Sequence, residues 1–122
     1  MVLTPIPDEV SLHPRAQARV WGVGMTQEEA RLQLEEFRVQ IDEVDRRIVA
    51  LLNERTSVVE DIGRVKRAAH LPIYEPKRED QVFANIQESN HGPISPEAVR
   101  RIFERIIDEM RTSLSFFVHR WS

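Results

Sequence analysis

A chain of 122 residues with 41% hydrophobic content is the size of one domain, and it is too apolar to be disordered throughout. Its net charge of −3 argues against a general nucleic-acid binder, so any buried cation must serve a local purpose. With no Cys there is no disulfide and no thiolate chemistry, and the four His (His13, His70, His91, His119) show no metal-ligand spacing.

Residues 1 to 25 carry Pro5, Pro7 and Pro14, then Gly22 and Gly24, with no hydrophobic period. They read as a flexible tail, and residues 26–122 as the domain. The opening MVLTPIPDEV has neither a basic nor an apolar signal region, so no signal peptide is expected. The longest apolar-leaning run, Ser113 to Val118, is too short to span a bilayer. The expectation is a soluble cytoplasmic protein with no membrane partner.

Thr26, followed by Gln27, Glu28 and Glu29, reads as an N-cap with acids in the first turn. The helix it opens runs to about Ala69, on the order of 44 residues or about 65 Å at the α-helical rise. Its apolar residues Leu34, Phe37, Ile41, Val44, Ile48, Leu51, Val58, Ile62 and Val65 recur in steps of three and four. That is the seam of a helix that packs along another helix. Nothing in the remaining chain is long enough to cover it, which predicts an intertwined homodimer.

Pro72, in the stretch His70 to Glu75, ends the first helix. Pro76 suits a first helical position, and a short helix with Val82, Phe83 and Ile86 on one side is expected to about Glu88. Ser89 to Pro93 is a loop. Ser95 and Pro96 open a third helix carrying Val99, Ile102, Phe103, Ile106, Ile107, Met110, Leu114 and Phe117, expected to fray near His119 to Ser122. No strand is predicted. The fold class is all-α: three helices per chain, the first very long.

One seam position breaks the pattern. A step of four from Leu51 lands on Arg55. A guanidinium in an apolar seam costs several kcal/mol unless an anion meets it. Lys66 lies eleven residues on, about three turns, and so shares a face with Arg55 some 16 Å along the axis. Their long side chains can converge on a small anion. Arg38 is about 25 Å from Arg55 by the same rise and cannot reach that anion from the same chain. An antiparallel partner helix could bring a second Arg38 to it. The competing reading is that these cations are solvated or paired with Glu54, Glu60 or Asp61, and that Lys66 only favours the helix C-terminus.

Between residues 34 and 115 the chain resembles the all-helical chorismate mutases, the AroQ class. The resemblance rests on Arg38 with Ile41 and Asp45, on Leu51-Leu52 leading to Arg55, on Gly63 and Lys66, and on the segment Pro72 to Glu79 containing Arg78. Each motif is weak alone, and the ordered set is specific. It implies a Claisen rearrangement of chorismate to prephenate, in aromatic amino acid biosynthesis, without cofactor or metal. By that resemblance Arg55 and the partner's Arg38 bind the two substrate carboxylates, which bidentate guanidinium groups suit. Lys66 donates to the ether oxygen. Glu79 accepts from the ring hydroxyl, with the backbone near Glu75 helping. Arg78 lines the pocket, and Val59, Ile62 and Ile107 wall the ring. Catalysis would come from holding the reactive conformer and from charge placed at the ether oxygen.

Two positions depart from the family pattern. Leu114 stands where the family places a Gln or Glu that also donates to the ether oxygen, and Met110 stands where a small polar residue is common. Other readings stay open: an isochorismate-pyruvate lyase, which is similar in fold and uses a like cation set, a non-catalytic helical module, which Leu114 favours, or a mutase activated by the enzyme that opens the shikimate pathway. Trp21, Phe116, Phe117 and Trp121 are candidate docking residues for such a partner, with core packing the alternative for those of the third helix.

Overall fold

The computed structural model describes residues 24–121, with side chains through Thr112 and at Leu114. The expected tail before Gly24 lies outside the described residues, as do Trp21 and the side chains of Phe116, Phe117 and Trp121. Three helices follow one another: α1 (Gln27–Ala68), α2 (Pro76–Ser89) and α3 (Pro96–Trp121). There is no strand among the described residues, so the chain is all-α with a first helix of 42 residues. Two compact units divide it, the first ending at Arg47 and the second beginning at Ile48.

In the first unit α1 is opened by a reciprocal cap. The Glu29 amide donates to Thr26 Oγ1 at 3.1 Å, and the Thr26 amide donates to Glu29 Oε1 at 2.9 Å. This capping box satisfies two amides that the first turn leaves without partners. The seam residues Leu34, Ile41 and Val44 are exposed.

In the second unit α1 stops at Ala68, before Pro72 can act. His70 adopts a left-handed conformation at φ 58°. The Leu71 amide donates to the Lys66 carbonyl at 2.8 Å and the His70 amide to that of Arg67 at 3.2 Å. This pair of bonds closes the helix as a Schellman motif, with His70 in the place usually held by Gly. The short connection leads to α2 through Pro76 at its first turn. Ser95 caps α3 by accepting from the Ala98 amide at 3.1 Å. The helix continues to Trp121, beyond the expected fraying point, since no Gly or Pro follows Pro96.

Helices α2 and α3 pack on each other. Val82, Phe83 and Ile86 are half-buried, as are Phe103, Ile106 and Ile107. The Arg100 guanidinium lies 4.2 Å from the centre of the Phe83 ring. Deep burial is sparse. Among the described residues the apolar side chains below the surface are Met110 and Leu114, each 6% exposed. Meanwhile Leu51 and Val65, on the α1 seam, are 62% and 64% exposed. The apolar stripe of α1 is thus formed but not covered within the second unit.

Candidate active site

The C-terminal turns of α1, the connection after it, α2 and α3 line an open cavity of about 490 Å³ in the second unit. Each element presents one helical face. From α1, Arg55, Val59, Ile62 and Lys66 follow the i, i+4, i+7, i+11 spacing of a single face. Glu75 lines the cavity from the connection, Arg78 and Glu79 from the first turn of α2, and Ile107, Met110 and Leu114 from α3. The residues expected at a site are therefore brought together, with one exception. Arg38 is exposed on α1 in the first unit and does not line this cavity.

The cations differ in how they are held. Lys66 is 13% exposed; its Nζ donates to the Ile73 carbonyl at 2.9 Å and lies 2.5 Å from Glu75 Oε1. The connection thus fixes where the ammonium points. Arg55 Nη1 donates to the sulfur of Met110 at 2.8 Å. Thioether sulfur is a weak acceptor, and no carboxylate pairs with Arg55 among the described residues. Asp61, one of the acids considered as its partner, is instead 2.6 Å from Arg64. Burial pushes the Arg55 pKa down and the nearby Arg78 guanidinium adds to the shift, yet an arginine so placed stays charged. Arg78 itself donates to Gln81 Oε1 at 3.3 Å. Two guanidinium groups without an anionic partner among the described residues, beside a held ammonium, make a cavity suited to a small dianion.

Glu79 is already engaged. Its Oε2 accepts from the Arg111 guanidinium, and that bond raises the Arg111 pKa. Sequence reasoning missed Arg111. The signal was present: Ile107, Met110 and Leu114 define a face by steps of three and four, and Arg111 completes it at i+4 from Ile107. Tyr74 was missed as a lining residue too; its ring lies 5.4 Å from the Arg111 guanidinium carbon.

Leu114 reaches the cavity and also touches α1 at Gly63. A Cβ at position 63 would overlap Leu114 Cδ1. Gly63 is thus required for close approach of the two helices. With Met110 and Ile107, Leu114 forms an apolar stretch of the α3 wall beside the Arg111 guanidinium.

A cation-lined cavity between three helices is the class of site this chain carries. Residues 37–113 match the family described as chorismate mutase type II, and the chain belongs to that family. Among solved structures it is similar to the chorismate mutase of Thermus thermophilus. Form II of that protein superposes with a TM-score of 0.66 at 34% identity, over 68% of this chain and 94% of that one. It is also 40% identical over 79 residues to a bifunctional chorismate mutase/prephenate dehydratase of Aquifex aeolicus, covering 62% of this chain and 22% of that one. A chorismate mutase of Methanocaldococcus jannaschii is 36% identical over 55 residues, 45% of this chain and 56% of that one. The chain thus spans about a fifth of the length of the bifunctional relatives.

Proposed function

We propose that the chain is a chorismate mutase that rearranges chorismate to prephenate. The observation that carries this reading is the pair Arg55 and Arg78, without carboxylate partners among the described residues, in a cavity that Lys66 also lines. The reaction is intramolecular: an ether C–O bond breaks, a C–C bond forms, and no atom is gained or lost. The protein must select the folded conformer and stabilise the charge that grows on the ether oxygen. Arg55 grips one carboxylate as a planar fork and Arg78 assists from α2. Lys66, aimed by Ile73 and Glu75, donates to the ether oxygen. The Glu79 oxygen not held by Arg111 accepts from the ring hydroxyl. Val59, Ile62 and Ile107 press on the ring, and nothing in this scheme calls for a cofactor or metal.

The working form in this proposal is a homodimer in which the second carboxylate meets Arg38 of the other chain. Support comes from the bare seam: Ile48, Leu51, Val58, Ile62 and Val65 are all exposed. Apolar stripes of that length are covered in stable proteins. No helix among the described residues is long and apolar enough to cross a membrane, in keeping with a cytoplasmic site of action.

The apolar wall of Met110 and Leu114 favours a second reading, in which intrinsic turnover is weak and a shikimate-pathway enzyme activates the chain. Product identification during chorismate loss tests both. Prephenate formation by the isolated chain supports the mutase. Pyruvate release from isochorismate, without prephenate from chorismate, would instead make it a lyase. Prephenate only when the pathway enzyme is added would support activation. No product under either condition would leave a non-catalytic module.

A further inference from the structure

The geometry points to Arg111 as a positioning residue that sets the direction of the Glu79 carboxylate in the cavity and ties it to the segment holding Lys66. The inference rests on the mutase reading and deepens it. Among the described residues Arg111 interacts with the side chains of Glu79, Asp108 and Tyr74. Its Nη2 meets Glu79 Oε2, its Nη1 lies 3.8 Å from Asp108 Oδ1, and its guanidinium carbon stands 5.4 Å from the centre of the Tyr74 ring. Asp108 is one turn back on α3, so it restrains the side chain along its own helix. Tyr74 offers a ring face to the cation. These contacts restrain the guanidinium beside Glu79.

The consequence for Glu79 is directional. One carboxylate oxygen is taken by Arg111, and the other remains to accept a hydrogen bond from a ligand. A free carboxylate on the first turn of α2 could rotate; this one is pinned. Tyr74 extends the effect. It stands between Ile73 and Glu75, and those two residues hold Lys66 Nζ at 2.9 and 2.5 Å. Arg111 therefore touches the hydroxyl-accepting group directly and contacts the segment that aims the ammonium. The side chains of Glu79 and Arg111 are 27% and 40% exposed. At that exposure an ion pair adds little to stability, so a role in orientation accounts for it better than a role in holding the fold.

Kinetics of chorismate consumption by the full chain test this, with Arg111→Ala, Arg111→Lys, Glu79→Gln and the double variant Arg111→Ala/Glu79→Gln. Arg111→Ala should lower kcat/KM by roughly ten- to a hundredfold, the scale of a misplaced catalytic contact. Arg111→Lys should recover part of the loss, because it keeps the charge and loses the fork. Once Glu79 is Gln, removing Arg111 should cost no more than about a further twofold, since residues that act as a unit are not additive. A packing role would lower the melting temperature and give independent, multiplying losses. Such additivity, or an Arg111→Ala variant within twofold of wild type, overturns the positioning role alone. Should Arg111→Ala fail to fold, Arg111→Lys alone and in combination with Glu79→Gln reads the same coupling. A wild-type chain that consumes no chorismate, alone or with the pathway enzyme added, overturns the mutase reading, and this role with it.

Discussion

Gly63 on α1 lies directly beneath Leu114 on α3, so that a single added carbon at 63 would overlap Leu114 Cδ1. The contact sets two energies against each other. Ala is favoured over Gly inside a helix by about 1 kcal/mol. Forcing a methyl into a packed contact costs about 1–3 kcal/mol. Leu114 is buried, so the side chain can yield only by turning toward the cavity that it lines. Gly63→Ala is therefore expected to destabilise the protein on balance, by roughly 1 kcal/mol from those two ranges. In a Leu114→Ala background the obstacle is gone, and Gly63→Ala should become neutral or stabilising. Chemical denaturation of the four proteins measures this. The same sign in both backgrounds would show that Leu114 is not what Gly63 accommodates.

Leu114 also bears on turnover. It lines the same cavity as Lys66 and cannot donate a hydrogen bond. Removing one donor from a developing oxyanion typically costs about 10²–10³ in rate. Supplying one through Leu114→Gln should return part of that, as a rise in kcat. Leu114→Glu should gain only as the pH falls, because only the protonated acid donates. Prephenate production measured across pH checks both. No gain in either variant at any pH would mean that another group already serves the ether oxygen.

The helices were legible because their signals are local. Thr26 with Glu29, Pro76, and Ser95 with Pro96 each fix a start through bonds to nearby amides. Arg55 was legible as a fault in an apolar period. The end of α1 was only half legible: Pro72 was read as the stop, whereas the left-handed His70 ends the helix first. A non-Gly residue in that conformation leaves no compositional mark. The Glu79–Arg111 pair was invisible for another reason. It joins residues 32 positions apart on different helices, and neither side chain alone says which partner it will meet. Met110 as the acceptor facing Arg55 is likewise a product of packing.

Arg55 separates stability from activity. It is a partly buried cation beside Arg78, and both burial and that neighbour disfavour its charge. Replacing such a group with an apolar one of similar length is often neutral or stabilising. Arg55→Met should melt no lower than wild type without ligand, yet lose turnover. Arg55→Lys should fold and also lose most of kcat/KM, because an ammonium cannot reproduce the planar fork. Thermal melts and initial rates check the pair. Near-normal kcat/KM in Arg55→Lys would reject the carboxylate clamp.

The last prediction tests the shared site and the dimer together. Arg38 is exposed in the first unit and absent from the cavity lining, so the proposed function draws it from another chain. Take one chain with Arg38→Ala and a second with Arg55→Ala. Each variant alone forms dimers with two broken sites and should be nearly inactive. In a mixed dimer, one site combines Arg55 of the first chain with Arg38 of the second and is intact, while the other site lacks both. Equal random mixing makes about half the dimers mixed, so roughly a quarter of wild-type activity should return by two-fold symmetry. The chains must be unfolded and refolded together, since helices that wind around each other exchange slowly. Light scattering confirms the dimer, and initial rates report recovery. Dimers that form but stay as inactive as the separate variants would show that Arg38 and Arg55 do not complete one site across two chains.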